Sequence, residues 1–203
     1  MAQPYRYRII FVRHGRTAYN AENRLQGQRD IPLDGKGREQ ASAVGRFLRD
    51  HLREEIACLE ARGAFWSSPL GRTRQTMELA RIAMELPAQR YRLDPRLKEL
   101  TVGDWEGLTW SEVEAKYPGA EIIRDADKWA FSPPGGESYA ALAARVQSWL
   151  GERDSDVFVV SHGGVARAFM AILAGIAPSA AASAEIWQGR ALIFDKGALS
   201  WVG

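Results

Sequence analysis

The sequence contains a single cysteine, Cys58, among 203 residues. A disulfide within the chain is therefore excluded, and a cysteine-based metal site would have too few ligands. This usage of cysteine is typical of proteins from a reducing compartment. We therefore expect a cytoplasmic protein.

Long apolar runs are also missing. The longest uncharged stretch, residues 168–184, is interrupted by Gly175 and Pro178 and is shorter than the roughly 20 apolar residues that a membrane-spanning helix needs. Charged residues interrupt the N-terminal segment before an apolar signal-peptide core can form. The sequence thus predicts no membrane association and no export.

The chain has little excess charge of either sign, because 27 Lys and Arg face 25 Asp and Glu, a net charge of +2. Arginines occur near the N-terminus, but without the interleaved aromatic residues of a base-stacking surface, so we expect no nucleic-acid partner. The 46% apolar content and the length fit one domain, residues 1–203, around one core. A homodimer is compatible with this composition, and the oligomeric state is left open.

Periodicity predicts alternating strands and helices, the pattern of an α/β sandwich. The apolar run at residues 9–12 ends a predicted buried strand over 7–12. The other predicted strands cover residues 64–67, 90–93, 156–160, 185–188, 190–194 and 198–202. Amphipathic helices are predicted from residue 37 to 52, from the Ser68-Pro69 turn to about 84, from 138 to 150 and from 165 to 174, with a short capped helix beginning near Ser111 and Glu114.

Two of the three histidines directly follow predicted buried strands. His14 stands after the first strand and His162 after the strand at 156–160, and each is followed by glycine. Ligands of open α/β sheets bind outside the carboxyl ends of the strands. Gly163-Gly164 opens a helix, whose N-terminus is suited to bind an anion. No P-loop signature accompanies these glycines.

Both histidines belong to a series of short motifs along the chain. In chain order these are Arg13-His14-Gly15 with Thr17 and Asn20, Leu25-Gln26-Gly27-Gln28, Ser67 to Thr73, Leu97-Lys98-Glu99 with residues 103–107, and Ser161-His162-Gly163-Gly164. In sequence and order they resemble the motifs of the histidine phosphatase superfamily, the phosphoglycerate mutase-like proteins. The resemblance implies a three-layer α/β/α sandwich with a mixed, mostly parallel central sheet. It also implies a phosphohistidine intermediate that needs no metal and no other cofactor.

The resemblance further implies a role for each matching residue. His14 would be the nucleophile, used as a neutral imidazole, and His162 its companion. Arg13, Arg72 and Gly163 would bind the phosphoryl group, and Asn20 would donate a neutral hydrogen bond to it. Arg13, Arg72 and His162 would neutralise the charge on the phosphoryl oxygens.

Glu99 would be the general acid and base, protonating the departing alkoxide and later deprotonating the attacking water. Asp104 and Glu106 lie close by in sequence, and pattern alone leaves all three carboxylates open. Trp105 is expected to be a packing residue.

Arg16, Gln26 and Gly27 are expected on the substrate side of the site. Arg16 departs from the resemblance, because many relatives carry Glu or Gln there. A second cation could contact a further anionic group of the substrate or pair with a nearby carboxylate, and the sequence leaves both open.

The leading functional hypothesis is a phosphatase that hydrolyses small phosphorylated metabolites. A phosphoglycerate mutase is the alternative, although the chain is short for the closed pocket that a mutase requires. The 25–30 loop also differs from that of the mutases. A non-catalytic phosphate-binding or partner-binding module is less favoured, because both His14 and His162 are present.

Overall fold

The computed structural model describes residues 6–203, and its strands form one six-stranded sheet. The strands are β1 Ile9–Arg13, β2 Phe65–Ser67, β3 Arg92–Leu93, β4 Val157–Ser161, β5 Ala191–Asp195 and β6 Ala198–Val202. Their spatial order is β3-β2-β4-β1-β5-β6. The neighbouring strands β3, β2, β4 and β1 run parallel to one another, whereas β5 is antiparallel to both β1 and β6. The predicted mixed, mostly parallel sheet is confirmed.

The α-helices within residues 6–203 are α1 Ala18–Ala21, α2 Gly35–His51, α3 Arg53–Ala61, α4 Gly71–Ala83, α5 Trp110–Lys116, α6 Ala120–Ala126, α7 Tyr139–Gly151, α8 Gly163–Leu173 and α9 Pro178–Ser183. All except α1, α5 and α6 form two groups. Helix α2 contacts α4 and α3, whereas α7 and α9 contact α8. The two groups and the sheet between them form the predicted three-layer α/β/α sandwich.

Two helix starts show how local sequence sets the boundaries. Asp34 caps α2 by accepting a hydrogen bond of 2.7 Å from the Gly37 N–H. The predicted capping box at Ser111 and Glu114 is wrong, because Thr109 and Glu112 form it two residues earlier. Glu114 instead accepts a hydrogen bond of 2.6 Å from the Gly119 N–H, beyond the end of α5.

The core is centred on β1 and β4, whose side chains are buried on both faces. A second, smaller apolar cluster lies outside it and consists of Trp105, Val113 and Ala120 with half-buried neighbours that include Trp110 and Phe131. All of its fully buried members come from the connection between β3 and α7. This connection therefore has a small core of its own, and its Leu97, Leu100 and Trp129 also pack with the main core. The assignment of residues 1–203 to one domain stays a prediction.

The strand predicted at 185–188 is wrong. These residues have no regular secondary structure, and the strand that pairs with β1 begins only at Ala191. Their polar groups bind the site instead, as shown below. Within residues 6–203 no helix is both long and apolar enough to cross a bilayer. Residues 1–5, on which the expectation about export partly rests, lie outside the described part of the chain.

Candidate active site

The sheet places the two predicted histidines side by side. Strands β1 and β4 are parallel neighbours in which Arg13 is paired with Ser161, so the next residues, His14 and His162, leave the same edge of the sheet together. The His14 N–H donates to the Ser161 carbonyl at 2.9 Å. The imidazole centroids lie 5.3 Å apart. Adjacent parallel strands thus unite residues that are nearly 150 positions apart.

The tautomer of His14 follows from its hydrogen bond. Nδ1 lies 2.8 Å from the Gly15 carbonyl oxygen, which can only accept, so Nδ1 carries the proton and Nε2 keeps its lone pair. Burial holds the pKa of His14 well below its usual range, and the positive charges of Arg72 and Arg13 lower it further. His14 is therefore a neutral imidazole with a nucleophilic nitrogen at neutral pH.

His162 lies behind His14 rather than on the cavity wall. It is completely buried, and its Nε2 is 2.8 Å from the Ser68 hydroxyl. Its Nδ1 has no hydrogen-bond partner within residues 6–203. Burial, followed by the charges of Arg72 and His14, holds the pKa of His162 well below its usual range. The second histidine is thus also uncharged.

Arg72 is held by the loop that precedes α2. Its guanidinium donates to the carbonyls of Arg29 at 2.7 Å and Gly27 at 2.8 Å. The Gln26 amide, oriented with its nitrogen towards Thr17 Oγ1, accepts from Arg72 Nε at 2.8 Å and from its Nη1 at 2.9 Å. Burial lowers the pKa of Arg72 to about 10, so the group keeps its charge at neutral pH.

These contacts give Gln26 and Gly27 a role that the sequence analysis did not foresee. Gln26 lines the cavity, and its amide also positions Arg72. Gly27 has a φ of +52°, and a Cβ there would clash with the Glu106 carboxylate. A side chain at position 27 would therefore strain the backbone and displace the Glu106 carboxylate.

Arg13 completes the positive charge beside His14. Its Nη1 donates to the Ile186 carbonyl at 2.7 Å, and its buried Nε has no hydrogen-bond partner in the described chain. Burial lowers the pKa of Arg13, although the charge of Glu99 opposes this effect. The irregular segment at 185–188 thus fixes one end of this guanidinium.

Glu99 places a carboxylate in the cavity, close to the charge of Arg13. Both of its oxygens lie 3.1 Å from the Gly164 N–H, at the N-terminus of α8. A Cβ on Gly164 would clash with this carboxylate. The predicted anion site at this helix terminus is therefore occupied by a side chain of the protein. A phosphoryl contact to Gly163, which does not line the cavity, stays a prediction.

The two other carboxylates near Glu99 in sequence lie elsewhere. Glu106 accepts hydrogen bonds from the Gln28 N–H and the Thr101 hydroxyl, both at 2.9 Å. Asp104 is exposed to solvent, and neither residue lines the cavity. The structure therefore singles out Glu99 among the three candidates for the general acid.

Asn20 reaches the cavity from α1 in a fixed orientation. Its Oδ1 accepts from the Thr17 N–H at 3.2 Å, from the Thr17 hydroxyl at 3.1 Å and from Gln188 Nε2 at 3.0 Å. The amide nitrogen is left as the donor on the cavity side. Gln188 also donates to the His14 carbonyl at 3.0 Å. Sequence reasoning missed Gln188, because it belongs to the segment predicted as a strand.

Arg16 does not line the cavity, which corrects the expectation that it lies on the substrate side. Its Nε donates to the Asp34 carboxylate at 2.7 Å, and its side chain is absent from the cavity wall. Of the two alternatives left open, the structure shows the carboxylate pair. Gly15 likewise serves packing, because a Cβ there would clash with the Gly37 carbonyl of α2.

These groups open into a cavity of about 230 Å³. Its inner end contains Arg13, His14, Asn20, Arg72 and Glu99. The rest of the wall comes mainly from the connection between β3 and α7, called the 100–139 segment below. Its contributions are Leu100, Val102, Trp105, Trp110, Arg124, Lys128, Phe131, Pro133, Glu137 and Tyr139. Trp105, predicted as a packing residue, is buried and also touches the cavity.

Comparison with known proteins agrees with this geometry. A family model described as the histidine phosphatase superfamily (branch 1) matches residues 9–194. The chain belongs to the histidine phosphatase superfamily. The family and the fold predicted from the motifs are therefore confirmed.

The relatives include phosphatases and a mutase. The chain is 37% identical over 182 residues to the glucosyl-3-phosphoglycerate phosphatase of Mycolicibacterium vanbaalenii, covering 83% of this chain and 75% of the relative. It is 34% identical to a 2,3-bisphosphoglycerate-dependent phosphoglycerate mutase of Gloeobacter violaceus, covering 88% and 80%. A solved mycobacterial glucosyl-3-phosphoglycerate phosphatase complexed with VO3 has a TM-score of 0.73 at 29% identity, covering 97% of this chain and 96% of that one.

Proposed function

We propose that this protein is a phosphatase that hydrolyses small phosphorylated metabolites through a phosphohistidine on His14. The observation that carries the proposal is the hydrogen bond from His14 Nδ1 to the Gly15 carbonyl, which leaves Nε2 free as a nucleophile beside two buried arginines. The phosphatases among the relatives support the same activity class.

In the first half-reaction His14 Nε2 attacks phosphorus and the bond to the alkoxide oxygen breaks. The guanidinium groups of Arg13 and Arg72 neutralise charge on the phosphoryl oxygens, and the Asn20 amide donates a further hydrogen bond. Glu99 donates its proton to the departing alkoxide, which leaves as the alcohol. The neutral state of His14 matters here, because a protonated imidazole has no lone pair for the attack.

In the second half-reaction water attacks the phosphohistidine, and Glu99 accepts the proton of that water. Inorganic phosphate leaves, and His14 and Glu99 return to their initial states. His162 contacts the His14 ring and, with Ser68 behind it, fixes the position of the nucleophile. Splitting the transfer into two steps lowers the barrier for each.

The proposal is tested by trapping the intermediate with p-nitrophenyl phosphate and by steady-state hydrolysis. Rapid mixing and alkaline quenching, which preserves phosphohistidine, should show one added phosphoryl group on the wild-type protein. His14→Gln should show none and should lose at least about 10⁴-fold in kcat. His51→Gln, in the one histidine outside the site, is the matched control and should behave as wild type.

The role of Glu99 has its own test, which uses the leaving group. Glu99→Gln should slow hydrolysis of an alkyl ester such as glycerol 3-phosphate by about 10² to 10⁴-fold. Phosphorylation of His14 by p-nitrophenyl phosphate should be slowed less, because p-nitrophenolate leaves without a proton. Equal effects on both esters would contradict the assignment of Glu99 as general acid.

The mutase alternative is decided by the fate of the phosphoryl group. Incubation with 3-phosphoglycerate should release inorganic phosphate with little 2-phosphoglycerate. Efficient interconversion with negligible hydrolysis would refute the phosphatase proposal, and full activity of His14→Gln would refute the mechanism. The cytoplasmic location and the homodimer stay predictions.

A further inference from the structure

Lys128 is a cation in the cavity wall without a carboxylate partner. Its side chain is half-buried, and within residues 6–203 no acidic oxygen lies within 4 Å of its ammonium group. Asp125 is the acidic residue whose charge acts on Lys128, and its carboxylate already forms a salt bridge with Arg124. Burial lowers the pKa of Lys128, and the positive charges of Arg124 and Arg167 lower it further.

The other charged side chains at this end of the cavity are compensated. Arg24 pairs with Glu22 at 2.9 Å and with Glu112 at 2.8 Å. Glu137 is held by two hydrogen bonds from Arg145, of 2.8 and 2.9 Å. Lys128 therefore differs from its neighbours in having no counter-ion among residues 6–203.

Lys128 is distinct from the two arginines beside His14. Neither Arg13 nor Arg72 is among the groups whose charges act on it, whereas Arg167 acts on both Lys128 and Arg13. The cavity wall thus carries a positive charge in addition to those of Arg13 and Arg72.

We infer that Lys128 binds a second anionic group of the substrate, so that the preferred substrates are phosphomonoesters with a carboxylate or another phosphoryl group at their far end. This inference rests on the proposed phosphatase function and specifies its substrate class. A phosphomonoester dianion is matched by Arg13 and Arg72, which leaves the charge of Lys128 for a further anion. A partly desolvated ammonium without a partner is unfavourable, and such an anion would supply the missing charge-assisted hydrogen bond.

Aromatic residues line the same cavity and suit the uncharged part of such a substrate. The Arg124 guanidinium lies over the Trp110 ring, with its central carbon 4.5 Å from the ring centroid, and the ring centroids of Phe131 and Trp105 are 5.5 Å apart. These rings provide an apolar surface against which a carbon skeleton can pack. Such a substrate would thus be recognised both by its charges and by the packing of its uncharged part.

The test compares two esters that differ in one group. 3-Phosphoglycerate carries a carboxylate where glycerol 3-phosphate carries a hydroxymethyl group. For the wild-type protein we expect kcat/KM to be about tenfold higher or more for 3-phosphoglycerate, the effect of one hydrogen bond to a charged group. Lys128→Met, which keeps the length and apolar stem of the side chain, should bring the ratio of the two values close to one.

Two further variants control for side-chain chemistry and for nonspecific charge effects. Lys128→Arg should retain most of the preference, because it keeps the positive charge. Lys116→Met removes an exposed lysine of the 100–139 segment that lies outside the cavity, and should leave the ratio unchanged. Fructose 1,6-bisphosphate compared with fructose 6-phosphate shows whether a second phosphoryl group serves in place of the carboxylate.

The outcomes separate this inference from the proposed function. Absence of p-nitrophenyl phosphate hydrolysis by the wild type would refute the phosphatase function itself. Hydrolysis of that ester with no preference in either matched pair would refute the second anion site alone. The second anion site would also be refuted if Lys128→Met kept the preference for 3-phosphoglycerate, or if Lys116→Met lost it to the same extent as Lys128→Met.

Discussion

The hydrogen bonds between Gln26 and Arg72 lead to a quantitative prediction. Gln26→Leu keeps the size of the side chain but removes the carbonyl oxygen that accepts from Arg72 Nε at 2.8 Å and Nη1 at 2.9 Å. Arg72 is only 1% exposed, so water cannot replace the lost acceptor without rearrangement. A hydrogen bond to a charged group contributes roughly 1.5–3 kcal/mol. Because both bonds share one acceptor, we expect the free energy of unfolding to fall by about 2–3 kcal/mol.

Activity should fall as well, because Arg72 would keep only its backbone acceptors, the carbonyls of Gly27 and Arg29. A guanidinium misplaced by about 1 Å can reduce the rate by roughly 10²-fold. We therefore expect kcat/KM for p-nitrophenyl phosphate to fall by about 10- to 100-fold, with a matching increase in the inhibition constant of inorganic phosphate. Urea unfolding and steady-state kinetics measure the two effects.

Two variants make this prediction sharp. Gln26→Glu keeps an oxygen acceptor for Arg72 but adds a negative charge at the cavity, so phosphate binding should weaken while stability is largely kept. Gln147→Leu, on the exposed face of α7, is the matched control and should change neither quantity. The role of Gln26 in positioning Arg72 would be refuted if Gln26→Leu had unchanged kinetics and a free energy of unfolding within about 0.5 kcal/mol of the wild-type value.

Two further predictions concern the buried histidines and the glycine beside the nucleophile. Acidification below pH 6.5, the usual pKa of histidine, should destabilise the protein, because unfolded chains take up protons that the buried His14 and His162 do not. The free energy of unfolding should fall as the pH falls, with a slope that approaches roughly 1.4 kcal/mol per pH unit for each histidine. A free energy of urea unfolding that does not change with pH in this range would contradict the prediction. Gly15→Ala should cost about 1–3 kcal/mol and reduce activity, because its Cβ forces β1 and α2 apart. Gly151→Ala, where a Cβ meets open space, is the control for thermal unfolding, and equal stability of the two variants would contradict the packing argument.

The inner end of the cavity could be predicted from sequence because short motifs encode it locally. An apolar strand followed by Arg13 and His14 already places both side chains at a sheet edge, and the same holds for His162. Parallel pairing of β1 and β4 then brings the histidines together. Fold class and candidate chemistry thus followed from strand ends and motif order.

Partners that are distant in sequence could not be predicted in the same way. Whether Arg16 contacts substrate or Asp34 depends on where the start of α2 lies, and no local pattern reports this. The segment at 185–188 has the composition of a strand, but the Ile186 carbonyl binds Arg13 and the Gln188 amide binds Asn20. Tertiary hydrogen bonds outweighed strand propensity there.

The cavity wall beyond the phosphoryl end was the hardest part to predict. Its residues come from the 100–139 segment, whose helices are short and whose apolar cluster around Trp105 is small. Such a segment shows little periodicity. The sequence therefore indicated reaction chemistry, whereas the groups proposed here to select the substrate became visible only in three dimensions.

The continuity of the 100–139 segment has a consequence for protein engineering. One continuous piece of chain supplies most of the outer cavity wall, while His14, Arg72 and His162 belong to the strand ends and helices of the sandwich. The segment could be transplanted between relatives as a cassette, with its ends joined near Glu99 and at the start of α7, if its contacts with the rest of the chain are kept. These include the packing of Leu100 and Trp129 on the main core and the hydrogen bond from the Gln28 N–H to Glu106. Chimeras of this kind would exchange substrate preference while leaving the phosphoryl-transfer apparatus in place, which gives a modular route to new phosphatases.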